Sequence, residues 1–482
     1  MINENELPKG WERQTLKDLT SILGDGLHGT PKYSSDGEYY FINGNNLTDG
    51  KIELKENTKR VSKSEFDKYK KNLTERTILI SINGTIGNTA FYRNEKVILG
   101  KSACYFNVLN HIDKRFIRYC LTTNRFIKYT NEKATGSTIK NVGLKALREF
   151  EVPIPPLTEQ ERIVAKIEEL FSELDAGLES LKTAQAQLKS YRQAVLKYAF
   201  EGKLTEEWRK CNQTKSAFEK LKGVAEKRKQ EFDEAKKKGE KKPVKNYDFT
   251  FSESKEVAGW ATATLDKLIY IAGRIGWRGL KKDEYKSEGP LFLSVHSLNY
   301  GKYVEFKDAF HVSKERYEES PEIMLQNDDI LLCKDGAGIG KIGIIKNLLY
   351  EATVNSSLLV IRGLEIFVPE FLFYLLSGPK LQRLVQERIT GSATPHLFQN
   401  DIRKFELLIP PIEEQQRIVE EIESRLSVCD KLEETINASL KQAEALRQSI
   451  LKQAFEGKLI AQEKGETVTV PKEENNQMKL FV

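Results

Sequence analysis

The sequence predicts an α+β protein. Two globular α/β units are separated by two long helices that form an antiparallel coiled coil, the whole being pseudo-two-fold symmetric. Three observations lead there. The segment Ile154 to Leu204 returns from Ile409 to Leu459 at a constant offset of 255 positions without a gap, and about half of the aligned residues are identical. Each copy carries apolar residues at heptad spacing. Upstream of each copy lies about 150 residues of mixed composition that match each other only distantly: Gly10-Trp11 with Leu16 and Leu19 against Gly259-Trp260 with Leu265 and Leu268, INGTIG (82–87) against KDGAGIG (334–340), and Thr135-Gly136-Ser137 against Thr390-Gly391-Ser392. A repeat of nearly half the chain length indicates duplication of a two-part module, not a solenoid.

The order along the chain is a globular unit (1–154), a helix (155–204), a charged helical linker (205–257), a second globular unit (258–408), a second helix (409–459) and a polar tail (460–482). At 482 residues and 39% hydrophobic content there is chain enough for two cores and a scaffold. The N-terminus lacks the basic and apolar regions of a signal peptide. The most apolar stretch, Ser357 to Leu376, carries Arg362, Glu365, Pro369 and Glu370, which excludes a bilayer span. Five scattered cysteines without a CxxC and five scattered histidines point to a reduced, cytoplasmic protein without a metal site. The net charge of +6 is local. Glu201 to Asn246 holds 15 Lys/Arg against nine Asp/Glu, which is the entire surplus, and reads as a solvated helix or linker.

Pro155-Pro156 and Pro410-Pro411 end what precedes them, because proline disfavours helix in the residue before it. Thr158, three residues ahead of Glu161, fits a capping box; Glu413 takes that place in the second copy. The seam residues Ile167, Leu174, Leu181, Leu188 and Val195 recur at sevens. Ile422, Cys429, Ile436, Ala443 and Ile450 do the same, with Ile163, Leu170, Ala184 and Tyr191, and Ile418, Leu426, Leu440 and Leu446, as companions. Such heptads mark a coiled-coil seam. Gly202 and Gly457 are the expected left-handed stops. A helix of this length is a rod of roughly 60 Å. Antiparallel pairing with its own copy would hide the apolar stripe and place the globular units at opposite ends.

Several motifs fail on inspection. Gly24 to Gly29 matches GxGxxG, but Thr30-Pro31 follows where a dinucleotide site needs a helix. GAGIGK (336–341) has Asp335 in place of the first P-loop glycine and Ile342 in place of Ser or Thr, so its glycines read as a tight strand-to-strand turn. ExK triplets occur by chance at 30% charged residues, and no [DNS]-P-P-[FYW] tetrapeptide is present. No catalytic constellation emerges, so the chain is expected not to be an enzyme.

The Gly-Trp opening with its leucines, DGLHGTPKY (25–33), the Thr-Gly-Ser segment and the twice-occurring IPP-x-x-EQ-x-RIV resemble the specificity subunit of type I restriction-modification enzymes, in order and over nearly the whole chain. The second unit departs at Gly273 to Gly279 (GRIGWRG). The resemblance implies two target-recognition domains, each reading one half of a bipartite duplex DNA sequence. It implies helices that set the spacing and dock two methyltransferase subunits, which bind S-adenosylmethionine and methylate adenine. Restriction subunits using ATP and magnesium would join them, and this chain itself would bind no cofactor, metal or membrane. Base reading needs side chains on loops that reach groove edges. The expected DNA-facing residues are His28, Thr30, Lys32, Ser137, Thr138 and Lys140 in the first unit, and Arg274, Arg278, Lys334, Lys341, Ser392, Thr394 and His396 in the second. The eight seam residues Ile167, Leu174, Leu181, Leu188, Val195, Ile422, Ile436 and Ile450 are expected at the helix interface and subunit-docking region. The alternative from another class is a coiled-coil scaffold whose two heads bind proteins.

Overall fold

Each head is held to its helix by the glutamate and glutamine of the repeated IPP-x-x-EQ segment. In the computed structural model, which describes residues 7–136, 140–239, 243–274, 280–281, 284–390 and 396–461, the long helices run Leu157–Phe200 and Ile412–Phe455, 44 residues each. Trp11 Nε1 donates to Glu159 Oε1 at 3.1 Å, and Trp260 Nε1 to Glu414 Oε2 at 2.7 Å. The next residue completes the clamp. Gln160 donates to the Pro155 carbonyl (2.9 Å) and accepts from the Asp113 amide (2.9 Å); Gln415 donates to the Pro410 carbonyl (3.0 Å) and accepts from the Val368 amide (2.8 Å). Asp113 and Val368 are the N-cap residues of head helices Lys114–Cys120 and Pro369–Ser377. A buried amide side chain that uses both its donor and its acceptor satisfies two backbone groups and fixes a helix start against a helix start.

The chain forms two compact units: residues up to Lys182 with those from Asn437 onward, and Thr183–Ile436. Each long helix thus contributes one half to each unit. Both units are built alike. A four-stranded antiparallel sheet has the order Thr20–Asp25, Ala103–Val108, Thr77–Ser81, Thr89–Phe91 in the first, and Ile269–Gly273, Leu358–Gly363, Ile330–Cys333, Ile342–Ile344 in the second. A three-stranded sheet with one antiparallel and one parallel pairing accompanies it, Arg60–Val61, Tyr39–Ile42, Val97–Leu99 and Phe310–His311, Lys286–Leu293, Ala352–Val354. The strand after the Gly-Trp opening pairs with the strand before the Pro-Pro, Glu12–Thr15 with Glu151–Ile154 and Ala261–Thr264 with Glu406–Ile409. Each head therefore begins and ends at its helix.

Within each unit the two helix halves run antiparallel. In the first, Asp175 pairs with Arg447 while Ile163, Val164 and Ile167 share a core with Ile450, Leu451 and Ala454. In the second, Arg192 pairs with Asp430 (2.7 Å) while Val195, Leu196 and Ala199 share a core with Ile418, Val419 and Ile422. The two ion pairs are one contact used twice, because both partners lie 255 positions apart. Ile167, Val195, Ile422, Cys429, Ile436, Ala443 and Ile450 are buried, and Leu174, Leu181 and Leu188 half-buried. Of the companions, Tyr191 and Leu446 are exposed, contrary to expectation. A two-helix seam covers a narrow stripe, and these two positions fall beyond its edge.

Two further expectations need correction. The helices begin at Leu157 and Ile412, with the Gln160 and Gln415 amides donating to the Pro156 and Pro411 carbonyls (3.0 and 2.9 Å), so Thr158 and Glu413 lie in the first turn and no capping box forms. The preceding prolines already supply extended backbone, and the first-turn acids suit the positive end of the helix dipole. The linker is not merely solvated. Helix Ala217–Lys237 buries Ala217, Leu221 and Val224 in the core of the second unit, and buried Arg228 donates to the Lys267 carbonyl and to Glu365, both at 2.8 Å. The helix ends agree with expectation. Gly202 and Gly457 adopt φ of 71° and 69°, with Lys203 N–Tyr198 O (2.9 Å) and Lys458 N–Gln453 O (2.8 Å) closing the turn.

The two clamps differ in burial. Glu414 is fully buried and also accepts from Thr205 (2.7 Å) and Arg209 (3.0 Å), whereas Glu159 is half-exposed. Removing one partner of a buried charged network costs about 3–5 kcal/mol, and a half-exposed hydrogen bond about 1 kcal/mol. Glu414→Ala should therefore lower stability in urea denaturation far more than Glu159→Ala. Equal losses would show that the buried network is not what secures the second head.

Candidate nucleic-acid interface

Strand register brings the sequence motifs to one end of each four-stranded sheet. In the first unit Asp25 faces Cys104, and Ala103 faces Ser81. Strand Thr20–Asp25 therefore leaves the sheet where Ala103–Val108 enters it and Thr77–Ser81 leaves it. The loops 26–33, 100–102 and 82–88 emerge together. The segment around Thr135 joins them: Asn141 bridges Asn83, Val142 donates to the Ile82 carbonyl (2.9 Å), and Gly84 to the Lys140 carbonyl (3.2 Å). In the second unit Gly273 faces Leu359, Cys333 faces Leu358, His396 bridges Asp335, and Leu397 donates to the Lys334 carbonyl (2.9 Å). The two glycine motifs are strand-to-strand turns, with positive φ at Gly84 and Gly87 and at Gly336 and Gly340.

Gly26 shows how tightly this end is built. A Cβ there would lie 2.3 Å from the carbonyl oxygens of Leu99 and Gly100, so only glycine lets the DGLHG loop lie against that turn, where Leu27 donates to the Leu99 carbonyl at 2.7 Å. His28, Thr30, Lys32 and Lys140 are all exposed. His28 Nε2 lies 2.6 Å from Asp25 Oδ2, the Lys32 amide donates to Glu65 (2.9 Å), and Lys140 reaches Asn131 (3.5 Å). In the second unit Lys341 is exposed and donates to Asn299 (2.6 Å), and His396 Nδ1 hydrogen-bonds Asp335 Oδ1. Lys334 is mostly buried, 3.3 Å from Asp335. Burial pushes the neighbouring Cys333 thiol up, so it remains protonated.

Arg274 is a correction. It is buried, its Nε donates to the Val354 carbonyl (3.1 Å), and its guanidinium packs over Phe292. It braces strand Ala352–Val354 and is not presented to solvent, because the chain is still within the core when it leaves Gly273. Ser137, Thr138, Arg278, Ser392 and Thr394 lie outside the described residues. Sequence reasoning missed Lys101, Asn83 and Asn141. Lys101 is exposed on the turn that meets Leu27, with no side-chain partner among the described residues. A signal existed, since its neighbour Ser102 matches Ser357 at the 255 offset and the two serine carbonyls accept from Ile82 (3.0 Å) and Lys334 (2.8 Å) in the same way.

Among the described residues no three His, Cys, Asp or Glu converge as metal ligands, and no helix is long and apolar enough to cross a membrane. What each unit offers is a polar, lysine- and imidazole-bearing loop cluster on a rigid sheet end. Loops on a rigid scaffold are suited to groove-edge recognition.

Comparison with known proteins agrees. The model of the type I restriction modification DNA specificity domain matches residues 8–185 and again 215–442. The chain is 26% identical to the EcoBI specificity subunit of Escherichia coli over 84% of this chain and 78% of that one. It is 24% identical to the EcoKI specificity subunit of Escherichia coli strain K12 over 100% and 96%. Its fold is similar to a chain from a structure concerning assembly and conformational transition of the type I restriction-modification system (TM-score 0.64, 16% identity, 94% and 100% covered). It is also similar to the HsdS subunit of Thermoanaerobacter tengcongensis (TM-score 0.53, 16% identity, 95% and 99% covered). The second specificity-domain match begins at residue 215, where the linker helix joins the second unit's core. With two such domains matched over most of its length, the protein belongs to the type I restriction-modification specificity family and recognises DNA sequence as a subunit of such a system.

Proposed function

We propose that this chain reads a bipartite duplex sequence, with each recognition domain contacting one half. The paired helices set the number of base pairs between the halves and dock two methyltransferase subunits, which supply S-adenosylmethionine and the adenine chemistry. Restriction subunits working with ATP and magnesium join this core, which acts on cytoplasmic DNA. The observation that carries the reading is a contrast within the duplication. The Glu-Gln clamps and the Arg–Asp helix contact are the same in both units, while the side chains at the loop ends differ. A common mount with divergent readers suits an asymmetric two-part target. Expected DNA-facing positions are His28, Thr30, Lys32 and Lys140 with Lys101 in the first domain, and Lys341 and His396 in the second. The half-buried seam around Leu181 and Leu188 belongs to the docking region.

Three outcomes check this. Exchanging residues 10–150 for the first domain of another family member should change one half of the methylated sequence and leave the other intact; altered preference in both halves would refute separate readers. Lys101→Ala should lower the slope of log binding constant against log salt by about 1 without changing the sequence preference; an unchanged slope would place the lysine off the duplex. Four residues inserted near Ala184 lengthen that helix by about 6 Å, against a rise of about 3.4 Å per base-pair step. Both half-sites should persist with an altered spacer. Methylation at the original spacing with full efficiency would show that the helices do not set it.

A further inference from the structure

One backbone position at the loop ends is the same in both units and carries different chemistry. Asn141 and His396 occupy it, 255 positions apart, each bridging antiparallel to the second residue of its glycine motif, Asn83 or Asp335. The next residue in each case donates to the first residue of that motif at 2.9 Å, Val142 to Ile82 and Leu397 to Lys334. The mount is therefore constant, and only the side chain varies.

In the second unit the imidazole is held from two sides. Its Nδ1 hydrogen-bonds Asp335 Oδ1, and the ring packs against Phe398 with centroids 4.5 Å apart. A carboxylate can only accept, so Nδ1 carries the proton, and in the neutral ring Nε2 is left as an acceptor. The side chain is one-third exposed, and Nε2 has no partner among the described residues. In the first unit Asn141 is half-exposed and its amide makes no side-chain hydrogen bond among the described residues. An amide presents a donor and an acceptor side by side, the pattern that matches the N7 and N6 edge of adenine in the major groove. A lone acceptor matches only an exocyclic amino group, N6 of adenine or N4 of cytosine.

Resting on the reading of the two domains as duplex readers, we propose that positions 141 and 396 are the paired specificity-determining position of this protein. Asn141 reads an adenine edge in one half-site. His396, held by Asp335 as a positioning residue, accepts from the amino group of adenine or cytosine in the other. The divergence between the half-sites at this base then follows from one side-chain difference on a shared backbone.

The test uses the complex of the full chain with its methyltransferase subunits, scored by sequencing methylated sites in a random duplex library. Asn141→Ala should lower discrimination at a single base position of one half-site by about ten-fold to a hundred-fold, and His396→Ala should do the same in the other half only. Asp335→Asn should relax the same base as His396→Ala and no other. His396→Gln, which keeps an acceptor near Nε2, should retain most of the preference, and thermal melting of each variant identifies loss of fold. Where His396→Ala or Asn141→Ala does not fold, Asp335→Asn and Asn141→Ser carry the same comparison. Folded variants with every base preference unmoved, or moved in both halves, overturn the assignment while the wild-type two-part preference stands. A wild-type complex without a two-part preference overturns the proposed function itself.

Discussion

The architecture depends on a glutamate and a glutamine in the first turn of each long helix. Each head shares an apolar core with its helix, and apolar contact, being non-directional, does not by itself fix the angle between them. Trp11 and Trp260 reach their glutamates across 148 and 154 positions of chain, and Gln160 and Gln415 tie the helix start to the first amide of a head helix. Directional hydrogen bonds favour one geometry, and those of the buried Gln160, Glu414 and Gln415 are costly to leave unmade. The aromatic contacts Phe116–Phe455 and Phe200–Phe371, again 255 positions apart, add burial at the same joint. The repeated residues are thus those that mount the heads.

The second constraint is helix register. The pairs Arg447–Asp175 and Arg192–Asp430 leave the aspartates largely exposed, and exposed ion pairs contribute little stability. Their value is alignment, because within either unit a slip along the seam would separate its pair while moving the buried heptad residues out of contact. A second head-to-helix tie also recurs with different parts. Glu168 meets Arg115 (3.2 Å), whereas Glu423 meets Lys302, and beside it burial pushes the Tyr374 phenol up to about 12. The acid stays in place on the helix and the head finds its own cation.

Against this fixed mount the loop ends are free to vary. Their backbone is held by the sheet, by the Gly26 approach and by the bridges at Asn83 and Asp335. Side chains there can change without moving the frame. That separation suits a protein whose target must differ between its two halves.

Periodicity and repetition in the sequence determined the two long helices, their glycine stops, the duplicated organisation and the glycine turns, because these follow from local spacing of apolar residues and from conformations that few residues adopt. The Glu-Gln pair was visible as a repeat, but its work was not, since its partners lie far away in the chain. The capping box at Thr158 and the cap at Glu413 were misjudged because Pro156 and Pro411 supply the helix start, and the linker because its apolar face is sparse and counts only once a core receives it. Tertiary structure alone decided the site. Loop membership suggested Arg274, yet it is buried against Phe292. Lys101 and Asn141 carried no motif and Asn83 was visible only as part of a glycine turn, and strand register brought them to the same sheet end as His28. Which side chains share an edge depends on pairing between strands some 80 positions apart, and no local pattern encodes that.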